Sequence, residues 1–551
     1  MRLKIYSKEI QLFFLWLLLL VIIDPRGDFP INDDWVYAYP VKSLLEHGRF
    51  EFLSPFAANL LLQVLWGYLF CLPDHFSFTS LRISTLVLGF TALISTYRLL
   101  KEGIKDKFII SLGVLLVLLN PLFLPLAYSF MTDIPFLAFI LAGIFFYIRF
   151  YETLHTRDFW LSFLLFFCAY LIRQPAILIF GMLSALLIFY RREETSRKTV
   201  ICGMALYLFL AAFHELFLSR WLGFSAASAN LGNAFIRGII YSPSTAIVLT
   251  ARHLFKSLLY LGFLSIPFQP LIFKGIRNYL RHRVMVVSAI IAVTVSSLTL
   301  CVITDKYFPF GGNILMNVGI GPLLLYDVET LQMGSPLQLP IFFTILITLF
   351  SLLSFVGSMV HLWVTFKNSH NFFLKLQFMV FFTVLLYMIP LLYPVFFDRY
   401  LLLPSITLTI LLCYSLQDSE IGRIPKIASL LLVSCFGWFT ITATHDYMEF
   451  NRARNGAFQY LREQSIPLEK IDAGLEYNGW YAYGGNSQAK PGKSAWWITD
   501  DEYKITLRQL DNHHVIKKFS FNRWLNLSRG DVFILRFVKP AAPDPLTLSA
   551  H

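Results

Sequence analysis

The sequence predicts an all-α polytopic membrane protein, with about 13 transmembrane helices, followed by a small α+β domain outside the membrane. Three observations predict this fold class. Hydrophobic residues make up 56% of the 551 residues and charged residues only 15%, a balance too apolar for a soluble protein of this length. Apolar runs of about 20 residues, the length that spans a bilayer, recur as far as residue 443. Beyond that point the runs are short and mixed with charges.

Apolar runs place the predicted spans along the chain. The first run, from Leu12 to Ile23, follows basic residues but precedes no small-residue cleavage pattern, so we interpret it as a retained helix with a cytoplasmic N-terminus. The apolar segment 56–72 is interrupted at both ends, and we interpret it as an interfacial helix, with a span as the alternative. The predicted spans are 10–23, 81–99, 108–127, 132–150, 159–172, 176–190, 199–219, 254–273, 284–303, 340–366, 376–393, 400–416 and 427–443.

The distribution of basic residues predicts which side each loop lies on. With the N-terminus inside, the cytoplasmic segments carry twenty Lys or Arg, whereas the longer external segments before the C-terminal domain carry ten. This asymmetry follows the positive-inside rule, and it accounts for the net charge of +12 without nucleic acid. Two external loops are long, at about 24–80 and 304–339, and long loops on one face are where binding and chemistry usually occur.

The change in pattern near residue 443 predicts two domains, a transmembrane domain over 1–443 and an extracytoplasmic α+β domain over 444–551. Residues 445–464 have helical spacing of apolar side chains, and short β-like runs follow at 496–499, 503–507 and 531–538. Among motifs, the sequence contains no Walker loop, dinucleotide glycine fingerprint or His-Glu-x-x-His segment. A soluble nucleotide cofactor is therefore not predicted.

Two adjacent carboxylates, Asp33 and Asp34, open the first external loop. Neighbouring acids at a membrane surface repel each other and lose solvation, so such a pair can accept a proton or hold a divalent cation. The alternative is structural, with Asp33 or Asp34 capping the helix that follows. Both interpretations stay open at this point, as does the identity of any metal.

Other polar residues fall on the same predicted face. Asp133 begins a helix in Thr132-Asp133-Ile134-Pro135, where an N-cap role is favoured and a contribution to the site is compatible with it. The cations on this face suit a phosphate, although interfacial anchoring would explain each one singly. They are Arg173, Arg252, Lys256 and Arg399. Within the membrane, His214 and Glu215 are more simply explained by a hydrogen bond between helices than by a metal or proton site.

The order of these motifs resembles that of the type-C glycosyltransferases, which include the protein O-mannosyltransferases and the bacterial aminoarabinose-to-lipid A transferases. The resemblance is carried by the acidic pair with the aromatic helix start Trp35 to Ala38, which includes Tyr37, and by Thr132 to Pro135. Arg173-Gln174-Pro175, Arg399-Tyr400 and the loop segments 312–315, which contains Asn313, and 319–322 are also similar. Val36 stands where the aminoarabinose enzymes carry an Arg. The similarity covers roughly residues 1–443.

The resemblance implies an enzyme that moves a monosaccharide, a hexose or pentose, from a polyprenyl-phosphate carrier to an extracytoplasmic glycan, lipid or protein, with inversion. It makes Asp33 the catalytic carboxylate and Asp34 its helper or a metal ligand. It also implies a bacterial inner membrane with the C-terminal domain in the periplasm. A transporter or flippase for a lipid-linked saccharide is the alternative, but it predicts repeated halves and charges at mid-bilayer. The sequence contains no fixed-period repeat.

Overall fold

The computed structural model describes most of the chain. The described residues are 7–53, 59–73, 75–190, 194–218, 236–303, 308, 313–316, 319–321, 339–369, 372–393, 396–484 and 497–538. Most of the predicted loop 304–339, including Gly312 and Pro322 of the loop motifs, lies outside these residues. So does Trp496, the first residue of a predicted β-like run.

Helices form the membrane domain, and each predicted span is helical over most of its described length. The helices before residue 200 are α1 Ser7–Ile23, α2 Asp34–His47, α3 Leu61–Cys71, α4 Phe78–Gly103, α5 Lys107–Leu118, α6 Phe123–Ala127, α7 Asp133–Thr153, α8 Thr156–Tyr170, α9 Ala176–Tyr190 and α10 Glu194–Phe213. Those after it are α11 Pro243–Ser265, α12 Gln269–Leu280, α13 Val284–Ile303, α14 Ile341–Asn368, α15 Phe372–Met388, α16 Leu402–Ser415, α17 Arg423–Glu463 and α18 Leu475–Ala482.

Eight helical segments within the described residues are long and apolar enough to cross a membrane, so the predicted count of 13 is not confirmed. The other five predicted spans correspond to α1, α5, α8, α9 and α16, which have 12 to 17 residues. The predicted span 108–127 breaks because Pro121 follows Asn120. The Asn120 side chain accepts the backbone N–H of Leu122 at 2.8 Å, and the short helix α6 then begins.

The C-terminal region contains a four-stranded sheet packed on the end of α17. Earlier in the chain, two short strands, β1 Leu315–Met316 and β2 Gly319–Ile320, pair with each other. Within the described residues the strands of the C-terminal sheet are β3 Ile471–Asp472, β4 Tyr503–Thr506, β5 His513–Arg523 and β6 Ser528–Phe537, in the order β3-β4-β6-β5. The β3–β4 pair is parallel and the other pairs are antiparallel. This confirms the small α+β region. The boundary at 443/444 stays a prediction, and α17 runs through it without a break.

Two strand predictions were incomplete. Residues 497–499 form no strand, because Trp497 has φ of 60°, a left-handed conformation that an extended strand does not allow. The longest strand, β5, was missed. Its first six residues, 513–518, are His-His-Val-Ile-Lys-Lys, a run without the apolar–polar alternation that predicts a half-buried strand.

Candidate functional site

The centre of the candidate site is an ion pair between the first external loop and the segment before α16. Arg399 Nη1 lies 2.8 Å from Asp33 Oδ2. The Arg399 side chain is almost fully buried, while 12% of the Asp33 side chain remains exposed. Asp33 is the residue before α2, yet its carboxylate makes no capping hydrogen bond. Asp33 therefore occupies the N-cap position that the structural interpretation predicted, but its carboxylate faces a buried guanidinium instead of capping the helix.

A second carboxylate–guanidinium pair involves Asp133 and Arg173. Arg173 Nη2 lies 2.9 Å from Asp133 Oδ2, and Arg173 Nε donates to Thr132 Oγ1 at 2.8 Å. The predicted N-cap role of Asp133 is wrong, because Thr132 occupies the cap position and Asp133 is the first helical residue. The two helix ends that carry these residues are thus joined at the predicted external face.

Asn313 joins the site through a side-chain amide pair with Asn32. Asn32 Nδ2 donates to Asn313 Oδ1 at 2.8 Å, and Asn313 Nδ2 donates back to Asn32 Oδ1 at 3.1 Å. Asp398 fixes this segment, since its buried carboxylate accepts the backbone N–H groups of Asn313, Ile314 and Leu315 at 3.0, 2.9 and 2.6 Å. Burial raises the pKa of Asp398 to about 6 even though these N–H groups lower it.

Asp34 has a different environment from Asp33. It is fully buried, and its oxygens accept the backbone N–H groups of Ile31 at 2.7 Å and Phe130 at 3.4 Å. Burial raises the pKa of Asp34 to about 7, and the positive charge of Arg82 opposes that rise. The two adjacent acids are therefore engaged by separate partners.

Arg82 is a site-forming residue that the sequence analysis missed. It lies in α4, fully buried, and its guanidinium donates to the carbonyls of Pro25 at 3.2 Å, Gly27 at 2.5 Å and Phe29. The same group lies 4.4 Å from the centre of the Phe29 ring. These bonds fix the chain that leads from α1 to Asp33. An arginine inside an apolar run was the available signal, because intramembrane charges are functional candidates by default.

The C-terminal region forms one wall beside the acidic pair. The Trp35 ring lies 5.7 Å from the Tyr483 ring and 5.6 Å from the Trp497 ring. Gly479 of α18 packs directly against Trp35, where any side chain would overlap the indole. The C-terminal aromatics are therefore part of the surroundings of the site, which the sequence did not reveal.

The remaining predicted site residues are Tyr37, Lys256 and Arg252. Tyr37 is buried beside Arg399 and Asp33, and burial raises its pKa to about 12. Lys256 lies over the ring of Phe396, 5.9 Å from its centre, and Phe396 is close in sequence to Asp398. Arg252 is exposed. The phosphate-binding roles predicted for Lys256 and Arg252 stay predictions.

The intramembrane pair His214–Glu215 lies in a π-helical turn, His214–Leu218, that continues α10. Tyr170 of α8 donates its hydroxyl to Glu215 Oε1 at 2.9 Å. This is the hydrogen bond between helices that the sequence favoured. Across the described segments, no three His, Cys, Asp or Glu side chains are grouped so that they could hold a metal ion.

Comparison with known proteins gives a family match over part of the chain. Residues 59–217 match the family model for dolichyl-phosphate-mannose-protein mannosyltransferases. For that segment, which contains Asp133 and Arg173, the match confirms the resemblance drawn from the motifs. No curated protein matches.

Solved structures of two related kinds are similar to this chain. ArnT from Cupriavidus metallidurans bound to undecaprenyl phosphate is 12% identical, with 98% of this chain and 100% of that one covered and a TM-score of 0.40. The S. cerevisiae protein O-mannosyltransferase Pmt1-Pmt2 complex bound to the sugar donor is 15% identical, with 39% of this chain and 34% of that one covered and a TM-score of 0.32. This chain thus spans about a third of the yeast chain.

Proposed function

We propose that this chain is a membrane glycosyltransferase that moves a monosaccharide from a polyprenyl-phosphate carrier to an acceptor at the membrane face where Asp33 lies. The observation that carries the proposal is the ion pair between Asp33 and Arg399, with the Asp133–Arg173 pair joined to the same face. A base and cations on one face are what a reaction with an anionic leaving group requires. The partial family match supports the same reaction class.

The ion pair suggests how donor binding prepares the base. Arg binds phosphate through paired hydrogen bonds, and a donor phosphate that engages Arg399 would compete with the Asp33 carboxylate for its N–H groups. Asp33 would then be released toward the acceptor. Because 12% of its side chain is exposed whereas Asp34 is fully buried, we assign the general base to Asp33 and a supporting role to Asp34.

The proposed reaction is a single displacement. Asp33 takes the proton from an acceptor hydroxyl as that oxygen forms a bond to the anomeric carbon. The bond from the anomeric carbon to the phosphate oxygen breaks, and the polyprenyl phosphate departs with the electron pair. Arg399 and Arg173 stabilise the negative charge of the leaving phosphate. One displacement at the anomeric carbon inverts its configuration.

The cellular setting follows from the same proposal. The excess of basic residues on the opposite loops supports a position of the Asp33 face outside the cytoplasm, and a bacterial inner membrane with a periplasmic C-terminal region suits the proposed donor. The acceptor is an extracytoplasmic glycan, lipid or protein, and the transferred sugar is a hexose or pentose.

Every donor of this kind releases polyprenyl phosphate, so measuring that one product tests the proposal whichever sugar is transferred. Purified full-length chain in vesicles would be incubated with a panel of undecaprenyl- and dolichyl-phosphate sugars and a membrane extract as acceptor, and release of the polyprenyl phosphate would be measured. Wild type should release it and Asp33→Asn should not. The matched control is Asp24→Asn, since Asp24 is in the same loop but pairs with Arg26 at 2.8 Å.

Each other outcome has a definite meaning. Equal release by wild type and Asp33→Asn would remove Asp33 from the mechanism. Movement of an intact lipid-linked saccharide across the bilayer, with no release, would replace the transferase with the transporter alternative.

A further inference from the structure

The β5–β6 hairpin lies along α17 with its turn directed back toward the membrane. Its contacts descend the helix in order, with the ring centres of Phe519 and Tyr460 6.3 Å apart and those of Phe521 and Phe450 5.9 Å apart. At the turn, Trp524 stacks on His445. The turn is therefore at the point where α17 leaves its membrane-spanning part.

Residues at the start of the extramembrane part of α17 hold this turn firmly. The Asp446 carboxylate accepts the backbone N–H of Trp524 at 2.7 Å and that of Leu525 at 3.0 Å. The Trp524 ring lies 3.6 Å from the His445 ring at an interplanar angle of 13°. The height of the turn is thus fixed relative to the helix.

The length of the uncharged part of α17 gives the position of the turn relative to the membrane. No charged residue occurs over 427–444, and at about 1.5 Å per residue these positions span about 27 Å. The hydrocarbon core of a bilayer is about 30 Å thick. His445 and Asp446 are therefore at the hydrocarbon boundary, on the face that carries Asp33, because Arg452 of the same helix donates to the Asp24 carbonyl.

Helical periodicity shows that the turn packs on the same face of α17 that contacts lipid further down the helix. Residues seven apart on an α-helix lie within about 20° of each other, so Leu431, Trp438 and His445 share one face. Leu431 is 63% exposed and Trp438 56% exposed, as expected for side chains that contact lipid. At His445 the same line is covered by the Trp524 ring.

The side chains of the turn suit an interface. Leu527 is 84% exposed, with φ of 50°, a conformation in which Asn is commoner than Leu. Arg523 pairs with Ser528 across the strands, and Arg529 is one position further along. Exposed Trp and Leu flanked by Arg are typical of the belt where acyl chains meet phosphates.

We propose that the turn 523–529 inserts Trp524 and Leu527 into the phospholipid interface of the membrane that α17 crosses, with Arg523 and Arg529 against lipid phosphates. The contact holds the C-terminal sheet at a fixed height, and with it the wall of α18 that packs on Trp35. This proposal is independent of the glycosyltransferase activity.

Fluorescence from a label at the turn tests the proposal. An environment-sensitive fluorophore would be attached at Leu527→Cys in full-length chain, in a background where the exposed Cys202 and Cys435 are replaced by Ala. The labelled chain would be placed in nanodiscs of phosphatidylcholine and phosphatidylglycerol, with or without a nitroxide lipid that quenches a fluorophore near the membrane. The matched control is His514→Cys, an exposed position on the same hairpin, about 30 Å from the turn at the rise of a strand.

Blue-shifted emission and several-fold stronger nitroxide quenching at 527 than at 514 are the expected result. Equal, water-like emission at both positions would overturn the proposal. A shielded label that is insensitive to nitroxide and changes with protein concentration would also overturn it, because a second copy of the chain would then cover the turn. In a chain labelled at Ser528→Cys, the substitution Leu527→Asp should abolish the quenching, because a charged side chain does not enter the apolar part of the interface. Asp also accepts the left-handed conformation of residue 527, so the substitution keeps the turn.

Discussion

Replacing Arg82 should release the loop that carries Asp33. The substitution Arg82→Met keeps most of the volume but removes the donors to the carbonyls of Pro25, Gly27 and Phe29. A hydrogen bond to a charged group contributes about 1.5–3 kcal/mol, and relief from burying the guanidinium offsets part of the total. Removing one partner from a buried ionic site costs about 3–5 kcal/mol, which is the loss that we expect here.

Hydrogen exchange measures that loss locally. The backbone N–H of Ile31 is bonded to Asp34, and the N–H of Asp33 to the Asn32 side chain at 2.9 Å. If these amides exchange through opening of the loop, a loss of about 3 kcal/mol should speed their exchange about a hundredfold. Mass spectrometry of deuterium uptake over 28–36 would record it. Arg82→Lys should give an intermediate rate, because one ammonium cannot reach all three carbonyls.

The matched control for this measurement is Arg26→Met. Arg26 also pairs with a loop carboxylate, that of Asp24, but its side chain is 81% exposed, so water screens the pair and its contribution to stability is small. Its exchange should stay within a few-fold of wild type. Equal uptake over 28–36 by Arg82→Met and Arg26→Met would refute the assignment of Arg82 as the residue that fixes this loop.

Three further predictions follow from the site. Arg399→Gln should lower polyprenyl phosphate release about a hundredfold, the usual loss for one group that stabilises developing charge; an unchanged rate would exclude Arg399 from phosphate binding. Burial raises the pKa of Asp34 to about 7, so the folded chain retains a proton that the unfolded chain releases above about pH 4. The free energy of unfolding should fall as pH rises from about 4 to 7, by at most about 4 kcal/mol; Asp34→Asn should flatten that slope in unfolding measurements, and an unaltered slope would contradict the assignment. Asn313→Ala should cost about 1–3 kcal/mol through the unpaired Asn32 amide, seen as a lower unfolding midpoint, whereas an unchanged midpoint would show that the amide pair is not formed.

Hydropathy and charge were sufficient to predict the membrane class, and they grouped on one predicted face the residues that form the Asp33–Arg399 and Asp133–Arg173 pairs. A helix that crosses lipid must satisfy its own backbone hydrogen bonds and cover them with apolar side chains. Each span is therefore visible as one continuous run of apolar residues in the sequence. In the predicted span 108–127, the apolar residues continue past Asn120 and Pro121, where the helix α5 has already ended. Count and exact length therefore depended on turns that hydropathy does not resolve.

The sequence by itself determined that Asp33, Asp34, Arg173 and Arg399 occur on one side of a helical bundle. Only the tertiary structure decided their partners. Successive residues at a helix start point about 100° apart, and that rotation directs Asp33 to Arg399 and Asp34 into the core. Asn32 and Asn313 meet across 281 residues of chain, a contact that depends on how the helices pack, because no local pattern records which distant segments become neighbours.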